Sequence, residues 1–347
     1  MQTLITGGLG FIGSNLAHRL LGEGRDVVVL DNSGRAGVRH NLQWLRDRHG
    51  KRLRLIEGDV RDFAAVQQAM CGARSVFHLA AQVAVTTSVA NPTEDFLINA
   101  QGTLNVLEAA RQSQPQPSVL YTSTNKVYGG MDDVRIVEQE TRYQMADYPL
   151  GIPETFSLDF HSPYGCSKGA ADQYTHDYHR IYGLPTVVFR MSCIYGPRQF
   201  GNEDQGWLAH FVITAVRGGS LMIYGDGKQV RDLLFVDDLV DAFLLAEQRL
   251  DLTAGRVFNI GGGPANALSV WREFEPLLEK TIGRRPAVQF GPWRPGDQRV
   301  YISDIRRAGE VFGWHPRVAP AEGLRRLAEW AEEAVAVLAR DSQAANV

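Results

Sequence analysis

Tyr164 and Lys168 stand four residues apart in the segment Ser162-Pro163-Tyr164-Gly165-Cys166-Ser167-Lys168. On a helix, positions i and i+4 share a face, so the ammonium can sit beneath the phenol and stabilise its phenolate. A tyrosine that ordinarily titrates near pH ~10 then becomes a base near neutrality. Such a pair suits the proton transfer that accompanies hydride transfer to a nicotinamide. Thr124 lies upstream at the end of an apolar run and completes the spacing. Any surface helix offers Tyr and Lys at this spacing, so the neighbouring motifs decide whether the pair is chemical.

Gly7, Gly10 and Gly13 follow an apolar run at residues 3–6 and open a segment of helical period at 11–21. A glycine turn between a strand and a helix N-terminus lets backbone approach a pyrophosphate, with the helix dipole facing the anion. Phe11 and Ile12 complete that turn. A Val-rich run at 26–30 makes the unit βαβ, and Asp31 ends it eighteen residues after Gly13, where an acid binds the adenosine ribose hydroxyls. Asn32 stands beside it. A carboxylate there repels a 2′-phosphate and favours NAD over NADP, a preference tempered by Arg35 and Arg39. Asp59-Val60 and Leu79-Ala80-Ala81-Gln82 follow the third and fourth apolar runs, at carboxyl ends of strands where such folds hold ligands. Adenine and the pyrophosphate-ribose backbone are their expected partners, and Asn99 and Thr122 join the cofactor set. For Asp59 a helix N-cap is an equal alternative.

Further apolar runs at 54–57, 75–79, 118–122, 185–189 and 256–260 alternate with helical segments. Because these runs are continuous rather than alternating, they imply an α/β fold with a doubly wound parallel sheet covered on both faces. The 347 residues, 44% apolar and 22% charged, suffice for that unit and a smaller C-terminal lobe. The expected division is a dinucleotide-binding domain of residues 1–190 plus about 232–262, a substrate lobe of about 191–231 plus 263–340, and a frayed tail at 341–347. Helical periods are expected at 207–216, 236–248 and 269–282. A net charge of −3 disfavours nucleic acid or an anionic membrane as the main partner. Three scattered cysteines without a Cys-x-x-Cys give no metal site and suit a reducing compartment. With neither a signal-like start nor a membrane-length apolar stretch, the expected location is cytoplasmic.

The Gly7/Gly10/Gly13 turn, Asp31, Thr124 four residues before Tyr128-Gly129, and Tyr164/Lys168 together resemble the extended short-chain dehydrogenase/reductase superfamily. Within it the likeness is to the nucleotide-sugar epimerases and dehydratases, and it runs nearly end to end. Stretches 122–129, 164–174, 190–200, 204–207, 227–232 and 297–300 are most similar to the branch that inverts C2 of CDP-activated hexoses. Cys193 stands where 4-epimerases commonly carry Asn, which favours that branch. The resemblance implies a Rossmann domain holding NAD, with Tyr164 as base, Thr124 on the reacting oxygen and Lys168 serving both the tyrosine and the nicotinamide ribose. It also implies a nucleotide-diphosphate sugar, a CDP-sugar by preference, with Arg231 and Arg299 clamping the phosphates. Gln205, Trp207 and Tyr224 are expected near the base or ribose, and Asn125, Lys126 and Cys193 near the sugar. Alternatives are a 4-epimerase, a 4,6-dehydratase, or an NAD-sensing protein without turnover. Dehydratases usually place Asp-Glu after the threonine, where Asn125-Lys126 stand here. A homodimer or higher homo-oligomer is expected through helices near 104–112 and 169–182.

Overall fold

Seven of the apolar runs pair side by side in one parallel sheet, ordered Arg256–Ile260, Thr186–Met191, Ser118–Thr124, Ser75–His78, Gln2–Thr6, Asp26–Asp31, Leu53–Glu57. The computed structural model describes residues 2–35, 37–294 and 297–344. Winding starts at Gln2–Thr6, proceeds to the Leu53–Glu57 edge, then returns past the start to build the other half. Direction therefore reverses between Gln2–Thr6 and Ser75–His78, the point at which doubly wound sheets open a ligand crevice at their carboxyl ends.

Both faces of the sheet are covered, which explains strands without polar alternation; Ser118–Thr124 is buried at every position. On one face Leu16, Leu20, Phe243 and Phe312 pack over Ile5, Phe77, Phe189 and Phe258. Val66, Met70, Val106 and Tyr178 cover Leu4, Val28, Val76 and Val119 on the other. The doubly wound reading of the sequence holds.

A second core unites Phe211 and Val212 of the helix Trp207–Val216 with Trp271, Phe274 and Leu278, and with Leu324 and Leu327 of the helix Pro320–Ala344. Beside it, Val230–Phe235 pairs with Ala267–Ser269, Val300–Tyr301 and Cys193–Tyr195. The helix expected at 269–282 begins only at Phe274. Ser269 and Glu273 each accept the other's backbone N–H at 2.8 Å, a reciprocal pair of bonds that turns the chain first. The helix Arg306–Phe312, inside the range expected for the lobe, instead sends Ala308 and Phe312 into the main-sheet core. Pro320–Ala344 continues into the segment expected to fray, and residues 345–347 lie outside the described residues.

Candidate active site

The helix Ser162–Tyr182 docks on the strand Ser118–Thr124 through its first turns, and this brings the reactive side chains together. Lys168 Nζ donates to Thr122 O at 2.6 Å and lies 4.3 Å from the centre of the Tyr121 ring. One turn earlier, Tyr164 lies beside the Thr124 hydroxyl, which acts to lower its pKa. The ionisation is not what spacing alone suggests. Burial pushes Tyr164 up to about 12, opposed by the Thr124 hydroxyl and the charge of Arg35. Desolvation also holds the Lys168 ammonium down at about 7, against the pull of Asp172 and Asp95. Among the protein's own groups, then, desolvation outweighs the cation expected to draw the proton off Tyr164.

Behind this pair lies a buried polar network in which Asp95 and Ser167, missed by sequence reasoning, join Gln82 and Asn99 of the expected cofactor set. Ser167 Oγ donates to Asp95 Oδ2 at 2.5 Å. Asn99 Oδ1 accepts the Gln82 N–H at 2.9 Å, and its Nδ2 lies 3.1 Å from Gln82 O, Asp95 Oδ1 and Ser167 Oγ. Asn99 occupies a π-helical turn, Leu97–Gln101, of the kind that recurs at functional sites. It ties the 79–82 loop to the helix Ser162–Tyr182. The available signal was Asp95 and Asn99 at i, i+4 spacing, with Ser167 adjoining Lys168. His78, bonded by Thr6 and Thr103, is pushed down to about 3 by burial and is neutral.

The glycines make a cradle that only backbone can form. A Cβ at Gly13 would lie 2.4 Å from Gly7 O, and one at Gly7 would lie 2.8 Å from Ala80 Cα, so turn, helix and the 79–82 loop are in direct contact. Leu79 and Ala80 N–H groups also reach Thr6 Oγ1, at 3.2 and 3.3 Å. Gly10, Phe11 and Arg35 line a groove with Gln199 and Gln205. Asp31 accepts the N–H of Leu9 at 3.0 Å and of Ser33 at 2.9 Å, one on each oxygen, which leaves lone pairs for ribose hydroxyls. Asp62, not Asp59, caps the helix Phe63–Met70. Asp59 instead accepts from Arg61 and Asn32, and the Arg61 hydrogen bonds hold it at about 2. Val60 is buried against Gly102, and Thr122 Oγ1 donates to His78 O at 3.1 Å, so both act from within the scaffold. A dinucleotide fits this cleft: Gly7, Gly10 and Gly13 would hold its pyrophosphate and Asp31 its adenosine ribose.

Across the cleft, the 297–299 stretch lies against the turn that follows Thr124. Gln298 Oε1 is 3.4 Å from both Asn125 Nδ2 and Lys126 Nζ, and its Nε2 donates to Gly129 O at 2.6 Å. Asp297 Oδ1 receives Arg231 Nη2 at 2.7 Å. Cys193 lies beside Trp207 and feels the charges of Arg231 and Lys126, although burial pushes its thiol up. Thr124, Asn125, Lys126, Cys193, Trp207 and Arg231 thus surround one region. The other three residues expected at the substrate have partners of their own. Gln205 takes a 2.6 Å bond from Arg35, on the dinucleotide side. Tyr224 donates to Glu203 and is covered by Arg294 at 3.9 Å. Arg299 is exposed, over the rings of Tyr143 at 5.2 Å and Trp293 at 5.8 Å. Gln298 was missed because only its neighbours carry charge.

A family model described as the NAD dependent epimerase/dehydratase family matches residues 3–261. CDP-paratose 2-epimerase from Salmonella typhi is 44% identical over 337 residues, covering 95% of this chain and 99% of that one. The structure of UDP-glucose 4-epimerase from Thermus thermophilus in complex with NAD is similar with a TM-score of 0.79 and 32% identity, covering 96% of this chain and 100% of that one. A double mutant of a dTDP-glucose 4,6-dehydratase from Streptomyces venezuelae, with NAD bound, is similar with a TM-score of 0.82 and 31% identity, covering 96% and 97% of the two chains.

Proposed function

The chain belongs to the NAD-dependent epimerase/dehydratase family, and within that family we propose that it inverts C2 of a CDP-hexose of the CDP-paratose type. The observation that carries this reading is the Thr124 turn, whose Asn125 and Lys126 meet Gln298 next to the Arg231–Asp297 pair. Similarity to a CDP-paratose 2-epimerase along nearly its whole length supports the choice of carbon and base. Dehydration is disfavoured because Asn125 and Lys126, both held on Gln298, stand where an acid and a base would be needed.

NAD, when bound, would supply reversible hydride transfer at C2, open to either face of the intervening ketone. Tyr164 Oη takes the proton of the C2 hydroxyl and gives it back, since the oxygen must be neutral again when the ketone is reduced. Thr124 holds that oxygen within the ~3 Å that proton transfer requires. Lys168, fixed on Thr122 O, adds positive charge beside the phenolate and reaches the nicotinamide ribose. Arg231 binds the diphosphate bidentately, exchanging Asp297 for phosphate oxygens. Between the two half-reactions the keto-sugar turns over while its diphosphate stays held.

We place the protein in the cytoplasm as a homodimer. Among the described residues no helix is long and apolar enough to cross a membrane. Tyr174, Ile181 and Tyr182 of the catalytic helix, with Phe96 and Leu97, are exposed apolar side chains that a second copy could cover. The test of function is incubation with CDP- and UDP-hexoses deuterated at C2, followed by NMR. Inverted C2 that keeps its deuterium supports the reading. Deuterium washout would require enolisation and overturn the mechanism, and inversion at C4 would make the protein a 4-epimerase.

A further inference from the structure

We propose that Lys126 grips the β-phosphate of the substrate together with Arg231, and that this grip makes C2 rather than C4 the reacting carbon. The inference rests on the 2-epimerase reading and extends it to the residue that sets the register.

The ammonium of Lys126 has three donors, and among the described residues its one hydrogen-bond acceptor is Gln298 Oε1, neutral and 3.4 Å away. Asn125 shares that same oxygen. Burial and the like charge of Arg231 hold Lys126 down at about 8, and Asp297 and Cys193 offset this only in part. Arg231 has Asp297 as its counter-ion, whereas Lys126 beside it is desolvated and weakly paired, a costly arrangement that a further anion would relieve. Asp297 marks the chemistry of that anion, since its carboxylate already meets Arg231 as a phosphate would.

The place of Lys126 in the chain then bears on which carbon reacts. The Lys126 N–H reaches Thr124 Oγ1 at 3.3 Å, so the lysine springs from the turn that holds the reacting oxygen. In a sugar nucleotide C2 adjoins the anomeric carbon that bears the diphosphate, whereas C4 lies across the ring. With the C2 oxygen between Thr124 and Tyr164, the β-phosphate falls beside the Thr124 turn, within reach of Lys126 and Arg231 together. With the C4 oxygen there, the ring carries the phosphate away from Lys126. The lysine therefore stabilises the C2 register selectively.

The test compares CDP with CMP, which lacks the β-phosphate, by calorimetry on NAD-loaded wild type, Lys126→Met and Lys126→Arg. Loss of a charge-assisted contact predicts CDP binding about 10- to 100-fold weaker in Lys126→Met, with CMP unchanged. Lys126→Arg restores most of the loss. Wild-type CDP affinity falls as pH rises past about 8, where the ammonium deprotonates, and Lys126→Met lacks that dependence. Equal losses for CDP and CMP, or no loss for either, would overturn the grip. The same proteins are then run on C2-deuterated substrate, where Lys126→Met should raise KM far more than it lowers kcat. Wild-type inversion at C4 with a CDP-selective loss in Lys126→Met would sink the 2-epimerase reading and the register argument, leaving the phosphate contact. Inversion at C2 with CDP binding untouched would sink the grip alone.

Discussion

Alanine at Gly13 and at Gly10 should damage the protein in two separable ways. At Gly13 an added Cβ lies 2.4 Å from Gly7 O, 2.5 Å from Gly8 Cα and 2.9 Å from Gly8 C. All three are backbone atoms, so no side chain can swing aside and the helix must lift from the turn. That movement strains the bonds Gly10 N to Gly7 O at 3.1 Å and Ser14 N to Gly10 O at 2.9 Å. Overpacking of this kind costs about 1–3 kcal/mol. At roughly 2 °C per kcal/mol for a chain this long, Gly13→Ala lowers the melting temperature of NAD-stripped protein by roughly 2–6 °C. A Cβ at Gly10 meets only Gly7 O, at 3.2 Å, and Gly10 lines the groove where the pyrophosphate is to lie. Gly10→Ala should leave the stripped protein within roughly 1 °C of wild type yet exclude the dinucleotide. In wild type, NAD at about a hundred times its Kd adds about 2.7 kcal/mol. Scanning fluorimetry with and without NAD then separates the variants: Gly13→Ala melts early in both conditions, whereas Gly10→Ala melts normally when stripped and gains nothing from NAD. Equal destabilisation of the two stripped proteins, or a full NAD gain in Gly10→Ala, would refute the reasoning.

Thr124→Val removes the hydroxyl that holds the Tyr164 pKa down, so the acidic limb of the kcat/KM profile should move to higher pH, while Thr124→Ser stays near wild type. Asp172 receives both Arg190 Nε and Arg190 Nη2 at 2.9 Å with both side chains buried, so Asp172→Ala strands a guanidinium and should cost about 3–5 kcal/mol in denaturant unfolding. Ile181→Asp puts a charge on the exposed face of the helix Ser162–Tyr182, and light scattering should show a dimer for wild type and a monomer for the variant, with the melting temperature little changed.

What was legible in the sequence was legible because it is local. The glycine turn, Asp31 at the end of the second strand, and Tyr164 with Lys168 each lie within one or two consecutive elements, so spacing alone sets their relation. Strands such as Ser118–Thr124 were legible because burial on both faces leaves an uninterrupted apolar signature. Helix caps were harder: Asp59 and Asp62 both precede Phe63–Met70, and only the backbone path shows that Asp62 receives the first amides. Contacts across the chain left no trace at all. Gln298 meets Asn125 across 173 positions, and Arg35 meets Gln205 across 170. The protonation of the catalytic pair belongs to this second kind. Spacing names Tyr164 and Lys168 as partners, yet the helix and strand that bring them together also strip them of water, which drives the phenol up and the ammonium down. A working phenolate needs positive charge gathered from outside its own helix, and Arg35, reaching over from the loop after the second strand, is a protein cation whose charge acts on Tyr164 in that direction. Local spacing therefore names the candidate base, while distant loops and whatever cations they admit set its ionisation.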